Sequence, residues 1–160
     1  MTICRRGRKT KAKEKGSTDE ICVFLKNIDE QKEEWDMKFF KCEGCGKLAV
    51  IFRESACPTK CCGEPMTEIV PGTSDGAREK HVPVITRDGA MVTAAVGEAA
   101  HPMLDAHYIE WILLETTQGY QKKDLKPGDE PKAVFALVPG EEPVAAYESC
   151  NLHGIWEAKA

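Results

Sequence analysis

The residues able to do chemistry fall into two groups. Eight cysteines are present, five of them between Cys42 and Cys62, and four histidines lie at positions 81, 101, 107 and 153, all beyond that cluster. No secretion signal is evident, so a reducing compartment is expected, where clustered thiols serve metals better than disulfides. Cys42-Glu-Gly-Cys45 lets two thiolates from one tight turn grip the same ion, with Gly44 and Gly46 easing the turn. Cys61-Cys62 offers a second pair, and four thiolates in tetrahedral array suit zinc or iron. Adjacent cysteines must both turn toward one ion, which strains the chelate. Cys57-Pro-Thr-Lys-Cys61 could equally supply the second pair, so Cys57, Cys61 and Cys62 leave three pairings open. Cys4 and Cys22 are expected to be free thiols.

A lone histidine on a strand is usually a satisfied surface or core residue, but here the settings favour a joint site. His101-Pro-Met-Leu-Asp-Ala-His107 places two imidazoles around a proline-initiated turn. Cys150-Asn-Leu-His153 is a two-ligand chelate eased by Gly154, and His81 follows Glu79-Lys80 and precedes Val82-Pro83. Imidazoles with one thiolate form a set that suits iron, copper or zinc. Spacing alone names no reaction.

The elements that must position these residues are short. The chain has 160 residues, 42% apolar and 30% charged, which suits one ordinary domain or two small ones. Residues 1–36 form a basic, poorly ordered extension, with seven Lys or Arg in the first fifteen positions. A solvated tail is preferred there over a nucleic-acid-binding arm, since no groove-reading motif accompanies the charge. Residues 37–72 are too few to bury a sizeable core and need a metal staple; Pro71–Gly76 has the composition of a linker. Residues 73–160 read as β structure. Val82–Thr86 and Ala90–Val96 flank the hairpin signal Arg87-Asp-Gly89. His107–Glu115 alternates with His107, Ile109, Trp111 and Leu113 on one face, and Ala133–Val138 and Val144–Ser149 are further strands. With no amphipathic helix, the spacing predicts an antiparallel sandwich. No apolar run reaches the roughly 18 residues of a membrane span, and Ile21–Leu25 is too short for a signal-peptide core. A cytoplasmic location is expected.

These motifs together resemble the desulfoferrodoxin group of superoxide reductases, which includes the neelaredoxins. The resemblance covers residues 37–160 and rests on Cys42-x-x-Cys45 with Cys61-Cys62, Glu79-Lys80-His81-Val82-Pro83, His101-Pro-Met with His107-Tyr-Ile, and Cys150-Asn-Leu-His153-Gly. It implies an all-β protein: a small rubredoxin- or desulforedoxin-like metal module followed by an immunoglobulin-like antiparallel β-sandwich. It implies two iron centres per chain. The first is held by Cys42, Cys45, Cys61 and Cys62, where zinc is also accepted, leaving Cys57 spare. The second is catalytic, with His81, His101, His107 and His153 as equatorial ligands and Cys150 as the axial thiolate. The reaction implied is one-electron reduction of superoxide to hydrogen peroxide, with a rubredoxin-like donor and a homodimeric protein. Residues 1–36 match nothing in the group.

Residues 37–160 hold 13 Lys or Arg against 18 Asp or Glu, a net charge of −5 that repels an anionic substrate. Lys80, beside His81, is the local cation expected to offset it; a unit charge ~4 Å from the anion contributes about 4 kcal/mol at an effective dielectric near ~20, before desolvation. By the same resemblance, Glu79 closes the open position after turnover. Two rival readings remain at this level: a two-iron electron-transfer protein without its own substrate, and a zinc-ribbon adaptor using the basic tail.

Overall fold

The computed structural model describes residues 37–53, 55–74 and 76–160. The basic extension 1–36, with Cys4 and Cys22, lies outside the described residues, and Met37–Ala160 forms one compact unit. That unit is built almost wholly of antiparallel strands. The first part comprises β1 (Lys38–Lys41), β2 (Leu48–Ile51), β3 (Lys60–Cys61), β4 (Glu64–Pro65) and β5 (Thr67–Ile69). These form a three-stranded sheet in the order β2-β1-β5 and a small ribbon β3-β4.

A one-turn helix, α1 (Arg78–His81), then leads into the second part. Its strands are β6 (Pro83–Asp88), β7 (Met91–Val96), β8 (Ile109–Thr116), β9 (Gly119–Asp124), β10 (Lys132–Ala136), β11 (Pro143–Cys150) and β12 (Gly154–Lys159). A sheet β10-β7-β6 faces a sheet β12-β11-β8-β9. Between them lie Val92, Ala94 and Val96 of β7, Ile112 and Leu114 of β8, Phe135 of β10 and Ala146 of β11. This is the expected sandwich, since alternating apolar residues on each strand can be buried only against a second sheet.

Several details depart from the pattern read in the sequence. The β6–β7 turn sits one residue later than the hairpin signal, because Asp88 still pairs with Met91 and Gly89 takes the positive φ of +59°. Strands β9 and β12 carry alternating charges or glycine and showed no clean apolar period. The face assignment along β8 also changes. Ser149 pairs with Trp111 but Cys150 with Ile109, so Glu110 is an extra residue in β8. This bulge turns Ile109 into the sandwich core with Cys150, whereas Trp111 and Leu113 face the other side. His107 precedes β8 in a tight turn, bridged to Leu104.

The outer face of the four-stranded sheet is covered by the first part of the chain. Met37 and Phe39 pack there on Trp111, Leu113, Ala145, Tyr147 and Ile155, with Leu48, Val50 and Ile69 at the margin. Phe39 is fully buried, its ring 6.1 Å from Trp111 and 5.4 Å from Tyr147. The small module is thus supported by a shared apolar layer as well as by its cysteines. The stretch expected to be a linker is also engaged: the Gly72 N–H donates to the Ile155 carbonyl at 2.8 Å.

Candidate metal centres

The first centre grows from two turns. The Cys42 N–H donates to the Lys47 carbonyl and the Gly46 N–H to the Cys42 carbonyl, closing the loop after β1 so that Cys42 and Cys45 point the same way. Cys61 ends β3, and Cys62 follows in the left-handed region at φ +53°, a costly conformation for a residue with a Cβ. That twist brings both adjacent thiols to one point. The four sulfurs of Cys42, Cys45, Cys61 and Cys62 lie within 4.8 Å of one another, with Cys45 and Cys61 at 3.6 Å. Cys57 is exposed and stands outside the group, so the open choice among three pairings resolves to the adjacent pair. Hydrogen bonding from the Lys47 backbone and then from neighbouring thiols lowers the Cys45 thiol to about 7, while hydrogen bonding with Cys45 and then Cys42 pushes the Cys62 thiol up to about 12. A cation binding among the four thiols would displace the protons that remain.

The second centre gathers residues from four places. Helix α1 delivers buried His81 at its last position; buried His101 follows the turn after β7; His107 comes from the turn before β8; Cys150 ends β11, and His153 lies in the β11–β12 turn. One ligand atom from each of these five lies within 4.8 Å of the others. The imidazoles form a square, with neighbouring centroids at 4.8 Å (His81–His101), 4.5 Å (His101–His107), 4.9 Å (His107–His153) and 4.7 Å (His153–His81). The His81–His107 diagonal is 6.3 Å.

The donor chemistry fits a metal ion. His81 Nδ1 donates to the Ala77 carbonyl at 2.8 Å and His101 Nδ1 to the Pro102 carbonyl at 2.6 Å, so both present Nε2 lone pairs inward. Burial lowers the proton affinity of His81, His101 and His107, that of His101 to about 4, which keeps these rings neutral. Ring nitrogens meet at 3.0 Å (His81 Nε2 to His153 Nδ1) and 3.2 Å (His101 Nε2 to His81 Nε2). Two ligands at right angles on an ion with bonds of about 2.1 Å stand about 3.0 Å apart. His107 Nε2 is buried without a partner, an orphan a metal would satisfy. Cys150 Sγ lies 3.6 Å from His101 Nε2 and 3.5 Å from His153 Nδ1. Burial raises its thiol, opposed by hydrogen bonds from the Leu152 and His153 backbone.

Surrounding residues hold this set in place, and some of them sequence reasoning passed over. Trp156 stacks on His81 at 5.1 Å and its Nε1–H donates to the His153 carbonyl at 3.2 Å; Ser74 Oγ donates to the same carbonyl. A Cβ on Gly76 would stand 2.7 Å from Trp156 Cζ2 and 3.2 Å from His81 Nδ1. Glycine there is a packing necessity that read as linker composition. The turn after β7 braces the other flank: Gly97, at φ +81°, leaves no room for a Cβ beside the Lys80 carbonyl, and the Ala99 N–H donates to the Glu79 carbonyl. Glu79 and Lys80 are exposed on α1; the Glu79 charge raises the proton affinity of His81 and the Lys80 charge lowers that of His107. Glu148 is fully buried two residues before Cys150 with neither oxygen partnered, and burial pushes its carboxyl up to about 9.

Comparison with known proteins points the same way. The Desulfoferrodoxin family model matches residues 73–159. The chain is 46% identical over 123 residues to the desulfoferrodoxin of Nitratidesulfovibrio vulgaris, covering 77% of this chain and 96% of that protein. It is 43% identical over 122 residues to a desulfoferrodoxin homolog of Archaeoglobus fulgidus, covering 76% and 96%. The crystal structure of the superoxide reductase from Treponema pallidum superposes with a TM-score of 0.66 at 37% identity, over 78% of this chain and 99% of that one. With its sandwich, its four-cysteine centre and its four-histidine, one-cysteine centre, the chain belongs to the desulfoferrodoxin family.

Proposed function

We propose that the protein is a superoxide reductase, converting superoxide, one electron and two protons into hydrogen peroxide. The observation that carries this reading is the square of imidazoles with a single cysteine sulfur beside it, flanked by the Lys80 and Glu79 charges. Iron is the metal the reading places in both centres, held by His81, His101, His107, His153 and Cys150 in one and by Cys42, Cys45, Cys61 and Cys62 in the other; zinc is the alternative in the second of these. A ferrous ion held in the five-ligand centre would supply the electron and a position for the small anion.

The chain's own residues do the rest. Neutral imidazoles and one thiolate leave a divalent ion with net charge of about +1, so the centre attracts an anion. The Cys150 thiolate, on the side of His101 and His153, pushes electron density toward the site, the lever known from thiolate-ligated haem. The Lys80 ammonium draws superoxide in against an acidic body. The Glu79 carboxylate would close the anion's position once product has left. A rubredoxin-like protein is the proposed electron donor and a homodimer the proposed assembly. No disulfide joins the six described cysteines, and no helix among the described residues is long and apolar enough to cross a membrane.

Metal analysis with an anion titration tests the reading. The purified protein should carry iron in the five-ligand centre, and azide or cyanide should shift its visible spectrum by occupying the substrate position. Iron with no anion response would mark a plain electron-transfer protein. Two zinc ions and no iron would mark a structural adaptor.

A further inference from the structure

We propose that Asn151 is a positioning residue for the five-ligand centre: its side-chain amide brackets His107 and locks it to the Cys150–His153 chelate. The proposal rests on reading those residues as metal ligands. Asn151 Oδ1 accepts from the Tyr108 N–H at 3.0 Å, and Nδ2 donates to the Ala106 carbonyl at 3.2 Å. These two groups belong to the peptide units on either side of His107, so one side chain grips the ligand's backbone from both ends. The Asn151 N–H also donates to the Tyr108 carbonyl at 3.1 Å.

The reason an amide is needed lies in the sheet. Pairing of β11 with β8 ends at Cys150 and Ile109 after the Glu110 bulge. Beyond it the chain turns through residues 151–153 into β12. His107 itself pairs its N–H and carbonyl with Leu104, which leaves the Tyr108 N–H and the Ala106 carbonyl of the same two peptide units to the Asn151 side chain. The Asn151 amide, with one donor and one acceptor in a plane, replaces the missing rung. Three ligands that are distant in sequence are thereby set at fixed spacing: His107, Cys150 and His153.

A simpler role is that of a turn former at the start of the β11–β12 hairpin, where asparagine is common. Aspartate serves a turn as well, but it cannot bracket His107, because its carboxylate accepts from the Tyr108 N–H and opposes the Ala106 carbonyl. Asn151 is exposed, so neither Asn151→Asp nor Asn151→Ala opens a core cavity. Both variants are loaded with iron and challenged with a ferrous chelator, the visible thiolate-to-ferric band is recorded, and thermal unfolding of the metal-free proteins is followed. Expected is a loss of iron affinity of about ten- to a hundredfold in both, with a displaced band and metal-free unfolding close to wild type. Asn151→Asp matching wild type in affinity and band overturns the proposal and leaves a turn residue. Loss of the metal-free fold in both variants also overturns it, since the amide would then support the domain rather than the centre. Wild-type protein that takes up no iron removes the reductase reading and this proposal together, whereas normal wild-type loading with unchanged variants removes only the proposal.

Discussion

Cys150 is held differently from the histidines around it. His81 and His101 are each aimed by an Nδ1–H bond to a carbonyl, which fixes a tautomer. The thiol is instead opposed to its own burial by backbone N–H groups of Leu152 and His153, which favour the thiolate. Cys150→Ser keeps the size and removes the sulfur. The expected outcome is loss of the visible thiolate-to-ferric band with iron still bound through the imidazoles; a band that persists would mean that Cys150 is not the ligating thiolate. At this scale C-x-x-C, Cys-Cys and C-x-x-H could be read as chelates from spacing, but the choice among Cys57, Cys61 and Cys62 and the full ligand set came only from the family resemblance. Asn151, Gly76 and Trp156 were not legible. Their roles depend on which distant backbone they meet, and no local pattern records that.

The elements show how a module of some 35 residues is kept in place. Phe39 alternates inward from β1 and is buried on Trp111 and Tyr147 of the sandwich's outer face. Phe39→Ala should destabilise the protein by about 3–5 kcal/mol in denaturant unfolding, the range for a buried aromatic; a loss below about 1 kcal/mol would mean the metal alone supports the module. A second element-level device closes the opposite end of the sandwich. Glu141 accepts from Thr116 Oγ1 at 2.6 Å and from the Val138 N–H at 2.9 Å, joining the β8–β9 turn to the loop before β11. These bonds lower its carboxyl below the usual range. A lowered folded-state value means the unfolded chain binds the proton more readily, so the stabilisation is present above a pH of about 4.5 and is lost as the pH falls through the folded value. Unfolding of wild type and Glu141→Gln compared across pH should show wild type ahead at pH 7 and the gap closing in acid. A gap independent of pH would locate the effect in packing. The sandwich class was readable from short alternating strands. The Glu110 bulge, β9 and β12 were not, because a bulge breaks the period it is read from and charged edge strands carry no apolar alternation.

For the whole molecule the governing quantity is charge. Residues 37–160 carry a net −5, a field that slows the approach of superoxide, while Lys80 near His107 acts locally in the other direction. Salt screens both. If the local cation dominates, the wild-type rate falls as ionic strength rises. Lys80→Ala should then react several-fold more slowly and lose most of that dependence; an unchanged rate and slope would remove Lys80 from steering. The net charge could be counted from composition and Lys80 picked out by its place beside His81, whereas its exposure on a one-turn helix braced by Gly97 shows only in three dimensions. The most direct measurement is a pulse of superoxide on the fully ferrous protein with peroxide, dioxygen and iron oxidation followed together. One hydrogen peroxide per superoxide consumed, one five-ligand iron oxidised and no dioxygen evolved is the predicted result. Dioxygen released at half the superoxide consumed, or superoxide decaying no faster than in buffer, would contradict it.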